Sequence, residues 1–302
     1  MKKPIISVVH LGKTIKNKSI LSDISVDIYK GDCVALIGPN GAGKTTFMNC
    51  LLGRYHVSSG QVSIEDLSPS HRRLQGKIAL LKQENCLPNN LKVKELLEFF
   101  KEIAHTPLSD EEIDTYLGFS EAQKQQLAEQ LSGGQKRLLS FVICLIGCPD
   151  MLFLDEPTAG MDTSTRKHFW KIISQLKEKS VTIIYSSHYI EEVEHTADRI
   201  LVLHQGQLLR DTTPFAMRNE EQEKQVTLSS EWLSYVETLE DVYDVLLKGE
   251  IVQFKTKEID KVWQLLQAAG CRISDIEVQN KTLLDSLFDS TKEDNNASFT
   301  KN

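Results

Sequence analysis

The stretch Cys33-Val34-Ala35-Leu36-Ile37-Gly38-Pro39-Asn40-Gly41-Ala42-Gly43-Lys44-Thr45-Thr46 decides the fold. Its first five residues are all apolar, as a strand covered on both faces requires. After the loop, Phe47-Met48-Asn49-Cys50-Leu51-Leu52 starts a helix. Strand, glycine-rich turn closing in Lys-Thr, and helix together make a seat for phosphate. Glycines at 38, 41 and 43 let the backbone turn its N–H groups inward, and the helix N-terminus adds partial positive charge behind them. Lys44 brings a full charge to the β and γ phosphates, and Thr45 offers a hydroxyl to magnesium.

Composition narrows the classes around this loop. The 302 residues, 40% hydrophobic and 25% charged, suit one large domain plus something small, or two domains. A net charge of −7 gives no hint of nucleic-acid affinity, local basic patches aside, and no nucleic acid is expected as a partner. The longest apolar run, near 141–146, falls far short of the roughly 20 residues that span a bilayer, so any membrane role passes through a partner. Met1-Lys2-Lys3-Pro4-Ile5-Ile6-Ser7 carries charge without a long apolar core after it, so no secretory signal is expected. Cys33, Cys50, Cys144 and Cys148 sit in apolar runs and read as reduced, buried thiols. Cys144 and Cys148 are spaced for one helix face, but no second ligand pair accompanies them, which argues against zinc.

Pattern gives the surrounding elements. Residues 5–9, 24–28 and 60–64 read as strands, and Ser25-Val26-Asp27-Ile28 alternates as a half-solvated antiparallel strand does. Between 84 and 145 the chain turns helical, with an apolar stripe at 96, 97, 99, 100 and 103 and further helices at 110–117 and 122–130. Strands at 151–154 and 181–185 flank a helix at 165–177; a helix at 190–196 and a hairpin around Gln205-Gly206 follow. The polar run 219–224 reads as a linker. Beyond it, a hairpin (243–247 and 251–255), a helix (259–269), a strand (273–278) and a helix (283–288) make a small α+β domain over 219–291. Trp232, Tyr235 and Trp263 form its core or a subunit contact, with core favoured, and a disordered tail is expected over 292–302.

Four buried runs end in polar groups: 33–37 at the phosphate loop, 78–81 at Gln83, 151–154 at Asp155-Glu156, and 181–185 at Ser186-Ser187-His188. In an open α/β sheet, ligands bind beyond the carboxyl ends of the strands. Asp155 then serves as a magnesium ligand, Gln83 offers an uncharged oxygen to the same ion or to water, and Glu156 is placed as general base toward an attacking water. His188 holds γ-phosphate oxygens. The chemistry is phosphoanhydride hydrolysis, driven by positioning and charge compensation.

Leu131-Ser132-Gly133-Gly134-Gln135 makes the reading specific. Ser132 and two glycines before a helix form a second anion site, and one chain holds only one phosphate loop, which invites a second subunit. Neither Asn-Lys pair, 17–18 or 280–281, continues into Asn-Lys-x-Asp, which argues against the GTPase branch. Over roughly 4–218 the chain resembles the nucleotide-binding subunit of an ABC transporter: Walker A at 38–46, Q-loop Gln83, LSGGQ signature at 131–135, Walker B at 151–156, D-loop around Ala159-Gly160-Met161-Asp162, and switch His188. The resemblance implies an α/β phosphate-loop ATPase over 1–218, with an antiparallel β subdomain and an inserted helical subdomain at about 84–145. It implies ATP and Mg2+ as cofactors and a second ATPase subunit, as a head-to-tail homodimer. In that dimer Ser132, Gly133, Gly134 and Gln135 of one chain close on the γ-phosphate held by Gly38, Pro39, Asn40, Gly41, Ala42, Gly43, Lys44, Thr45 and Thr46 of the other. Asp162 joins the nucleotide-contacting set. It also implies a membrane-spanning permease subunit that holds the chain at the cytoplasmic face of the cell membrane, the segment 84–91 being the expected docking surface. Ile15 departs from the family, which stacks an aromatic residue on adenine there; an aliphatic side chain covers the base without π-stacking. The stretch 276–288 resembles the closing strand and helix of an appendage on bacterial drug, antibiotic and bacteriocin-immunity exporter ATPases, from which export is expected. The alternative is a soluble ABC ATPase serving an assembly without transport.

Overall fold

The computed structural model describes residues 3–84, 87–88, 90–187, 189–220 and 223–280. They divide into two compact units between Pro214 and Phe215. In chain order the first carries β1 (Ile6–Ile15), β2 (Lys18–Ile28), β3 (Cys33–Ile37), α1 (Lys44–Leu51), β4 (Ser59–Ile64), β5 (Ile78–Leu81), α2 (Val93–Ile103), α3 (Asp110–Leu117), α4 (Glu121–Lys124), α5 (Gly133–Leu145), β6 (Met151–Leu154), α6 (Thr163–Glu178), β7 (Thr182–Ser186), α7 (Ile190–Thr196), β8 (Arg199–His204) and β9 (Gln207–Thr212). Then α8 (Pro214–Glu220) leads to β10 (Lys224–Ser229), α9 (Leu233–Val236), β11 (Tyr243–Lys248), β12 (Ile251–Thr256), α10 (Ile259–Ala268) and β13 (Glu277–Asn280).

The first unit holds an antiparallel sheet ordered β2-β1-β4 and a six-stranded sheet ordered β5-β6-β7-β3-β8-β9. The larger sheet is parallel except for β9, which returns antiparallel on β8. Its inner strands β3, β6 and β7 are buried at every residue, which is why they read as unbroken apolar runs. β1 and β2 run well past the expected 5–9 and 24–28. They meet at a two-residue turn, Lys16-Asn17, where both residues have positive φ, the geometry that matches strand twist. Polar residues on the exposed face hid the length of these strands.

Helix α1 belongs to one core with both sheets: Phe47, Met48 and Leu51 share a cluster with Ile6, Leu11 and Ile28 and with Val34, Leu36 and Phe153. The phosphate loop is therefore anchored at both ends, by β3 and by a helix whose apolar face is fully occupied. In the helical insert, α2 buries Val93, Leu96 and Leu97 but leaves Phe99 and Ile103 exposed. The helix expected over 122–130 breaks into α4 and a single 3-10 turn, Ala128–Gln130. Ser120 caps the first piece, and the Val93 N–H bonds to Gln126 between the two. The reading of Cys148 as a buried thiol is corrected. It lies exposed beyond the end of α5 at φ 48°, off the helix face assumed for it. Burial pushes the Cys33 thiol up to about 12 and the Cys144 thiol to about 11, so both stay protonated and inert.

The second unit is an antiparallel sheet ordered β11-β12-β10-β13 whose buried side chains pack with α10. Val226, Leu228, Val252, Phe254, Val262 and Leu266 form the core, and Trp232, Tyr235 and Trp263 pack against it, as the core reading requires. Gly249 takes positive φ at the β11–β12 turn. Two boundaries differ from expectation. Ile273–Asp275 is a 3-10 turn, with the strand delayed to Glu277, and the polar run 219–224 is shortened because α8 reaches Glu220 and β10 starts at Lys224. The helix expected at 283–288 and the tail at 292–302 lie outside the described residues. Among the described residues no helix is long and apolar enough to cross a membrane.

Candidate functional site

The strand order carries the site. β5, β6, β7 and β3 lie side by side and parallel, so Gln83, Asp155, Ser187 and the phosphate loop all leave the sheet at its carboxyl edge. In the loop, Gly38 has φ 151°, and a Cβ there would sit 2.1 Å from the Leu203 carbonyl oxygen. Gly38→Ala is therefore expected to destabilise the unit by at least about 3 kcal/mol, because rigid β8 backbone must yield. A thermal melt of the variant checks this, and a wild-type Tm would contradict the close approach. The Lys44 Nζ donates to the Gly38 carbonyl at 2.7 Å and to the Pro39 carbonyl at 3.2 Å. Burial lowers its pKa, while Glu156 and Asp155 pull it back upward. An ammonium turned onto its own loop's carbonyls holds the cradle shape until phosphate oxygens compete for it.

Walker A and Walker B meet directly. The Thr45 hydroxyl donates to Asp155 Oδ2 at 3.1 Å, and the Ser186 hydroxyl donates to Asp155 Oδ1 at 2.6 Å. Ser186 Oγ in turn accepts the Glu156 backbone N–H at 2.8 Å. Glu156 has φ 48°, left-handed backbone that a non-glycine residue holds only where its surroundings fix it. Gln83 is exposed and lines a cleft of about 300 Å³ together with Thr45, Asn49, Lys82 and Asp155. A hydroxyl, a carboxylate and an amide oxygen around one cleft form an all-oxygen, hard donor set, which fits magnesium. His188 lies outside the described residues.

The signature residues sit at the start of α5. Ser132 Oγ accepts the Gln135 N–H at 3.2 Å and Gln135 Oε1 accepts the Ser132 N–H at 2.9 Å, a reciprocal cap. Ser132 and Gly133 are exposed, whereas Gly134 is buried where a Cβ would come 3.2 Å from Met161 Cα of the D-loop. Of the two signature glycines, Gly134 makes the closer approach to the D-loop backbone. Asp162 spends its carboxylate inside its own helix start: Oδ1 accepts from the Ser164 and Thr165 N–H groups and the Ser164 hydroxyl, and Oδ2 from the Thr165 hydroxyl. Those bonds hold its pKa well below the usual carboxylate range. Ile15, at the end of β1, is 37% exposed, open enough to cover a base.

Two residues escaped the reading of the sequence. Ser186 looked like one of two serines before a histidine, yet it joins Asp155 to Glu156. Arg137 is the largest of the fully buried side chains and touches both strand ends. Its signal was present. Gly134, Arg137, Leu138, Phe141, Val142 and Leu145 make the buried stripe of α5, and a charge on such a stripe demands partners.

The sequence profile of the family described as "ABC transporter" matches residues 21–159. The linearmycin resistance ATP-binding protein of Bacillus subtilis is 33% identical over 207 residues, 66% of this chain and 66% of that protein. The Nod factor export ATP-binding protein I of Burkholderia lata is 31% identical over 216 residues, 68% of this chain and 69% of that protein. Among solved structures, a dimeric ATP-binding cassette in a post-hydrolysis state with ADP and phosphate superposes with a TM-score of 0.61 at 22% identity, covering 69% of this chain and 98% of that one; it shares the fold.

Proposed function

The chain belongs to the ABC transporter family of ATP-hydrolysing cassettes, and from that premise we propose that it powers export through a separate membrane-spanning subunit. The observation that carries the catalytic part is the contact between the Thr45 hydroxyl and the Asp155 carboxylate, which brings the phosphate loop and the acidic end of β6 to one point. Lys44 and the loop N–H groups take the triphosphate, and Ile15 covers the base. Thr45, Asp155 and Gln83 hold Mg2+, which when bound neutralises charge on the β and γ phosphate oxygens. Glu156 receives a proton from the attacking water, and His188 steadies the γ-phosphate oxygens.

Two cassettes pair head to tail, each supplying its Ser132–Gln135 cap to the nucleotide of the other. The neighbour described as dimeric supports pairing of two cassettes, and a homodimer is the simplest form because this one chain carries both halves of the site. Export is favoured because the linearmycin resistance and Nod factor export proteins stand among the relatives. The permease holds the chain at the cytoplasmic face of the membrane, docking on the segment 84–91. The exposed Phe99 and Ile103 of α2 suit the same contact. Affinity purification from detergent-solubilised membranes is expected to recover a multispanning protein. Recovery of soluble partners alone would replace export with the assembly reading.

The domain boundary gives a further expected result. A chain ending at Asn219 is expected to keep a cooperatively melting ATPase unit, since residues 1–214 form a compact unit with a hydrophobic core of their own. An insoluble or non-cooperative product would place the boundary elsewhere.

A further inference from the structure

We propose that Arg137 is the positioning residue through which the signature helix sets the backbone of both the general base and the Q-loop, an inference that rests on the site reading above. Its guanidinium is 1% exposed and aims every nitrogen at carbonyls of the two strand ends. Nε donates to the Pro157 carbonyl at 3.0 Å. Nη2 donates to the Asp155 carbonyl at 2.6 Å and to the Glu156 carbonyl at 3.0 Å. Nη1 donates to the Lys82 carbonyl and, at 3.2 Å, to the Gln83 carbonyl. Lys82 and Gln83 follow β5, and Asp155 to Pro157 follow β6, so one planar group ties two loops to α5. Arginine suits this place because its five donors lie in one rigid fork; lysine offers three donors from a single atom.

The Glu156 peptide shows what the clamp achieves. Its left-handed φ of 48° is held from both sides: Ser186 of β7 takes the N–H, and Arg137 of α5 takes the carbonyl. Remove the guanidinium and the carbonyl loses its charged donor, keeping the Ala159 N–H at 3.2 Å, at a residue whose relaxed conformation lies elsewhere. Burial pulls the Arg137 pKa down to about 10, which still leaves the group charged at neutral pH. Taking that charge out of water is costly, and a side chain meant only to fill space would be apolar. Arg137 lies in the first turns of the helix whose cap is Ser132, so a shift of that cap against a second subunit's nucleotide reaches Glu156 and Gln83 by one side chain. Thr45, Lys44 and the Asp155 carboxylate stand outside its contacts, so ATP binding is left to them.

The test measures turnover and ATP affinity in the full chain with Mg-ATP, for the wild type, Glu156→Gln, Arg137→Lys and Arg137→Ala. Arg137→Lys is expected to lower kcat at least about tenfold, the loss of roughly 1.4 kcal/mol of transition-state stabilisation. ATP affinity stays within about twofold, because the lost contacts act on catalytic geometry. Millimolar guanidinium restores turnover to Arg137→Ala and not to Glu156→Gln. Unchanged kcat in Arg137→Lys, parallel loss of kcat and ATP affinity, or failure of both Arg137 variants to fold would overturn the proposal, the last because the guanidinium would then serve the fold alone. A wild type without Glu156-dependent turnover would instead remove the site reading beneath it.

Discussion

Glu156→Gln is expected to bind ATP as the wild type does and to lose turnover by about 10²- to 10⁴-fold, the range a positioned general base supplies. The substitution keeps the size and the backbone of residue 156, so the Ser186 and Arg137 contacts to its N–H and carbonyl survive. Only the ability to accept a proton goes. Thr45, Asp155 and Lys44 remain, so the nucleotide is held without being cleaved, and the head-to-tail dimer accumulates in its closed form. Phosphate release and size-exclusion chromatography in Mg-ATP check the two halves together. Turnover equal to wild type would take the base role from Glu156, and lost ATP binding would mean that the substitution disturbed the strand end.

Lys44→Ala is expected to weaken ATP binding roughly 10- to 150-fold, the equivalent of about 1.5–3 kcal/mol for hydrogen bonds to a charged group. Residual turnover falls further, since the γ-phosphate loses the charge of the Lys44 ammonium. The fold should tolerate the change better than it tolerates Gly38→Ala. Lys44 meets carbonyls of its own loop, whereas a Cβ on Gly38 meets the backbone of β8 at 2.1 Å. Equilibrium binding of a fluorescent ATP analogue, read beside a thermal melt, separates the two. Undiminished affinity would contradict the assignment of the cradle.

Much of the larger sheet was legible because its inner strands are covered on both faces. Cys33–Ile37 and Met151–Leu154 carry an unbroken apolar signal for that reason, and their observed bounds match the expected runs; Ile78–Leu81, at the edge of the sheet, also matches its expected bounds but is only partly buried. β1 and β2 were legible only in part, since the polar Lys13, Thr14 and Ser19 are themselves exposed or half-buried where the two strands meet and dilute the pattern. The insert was harder still. Helix propensity continues through 122–130, but Ser120 caps one short piece, and the Lys92–Leu127 bridge and the Val93–Gln126 bond pull the next residues out of line. Cys148 misled because a cysteine in apolar surroundings looks buried, while only the end of α5 at Leu145 decides where the chain turns outward.

The groups able to do chemistry are written in the order of residues: a glycine loop with Lys44 and Thr45, a capped Ser132 helix start, and carboxylates at the end of an apolar strand. Those depend on local pattern, on spacing within a loop or along one helix. The tertiary structure alone decided that β5, β6, β7 and β3 stand adjacent, that Thr45 reaches Asp155 across 110 residues of chain, and that Arg137 ties both strand ends to α5. Strand order and contacts between distant segments are set by which buried faces pack together, and no local stretch of residues encodes that choice.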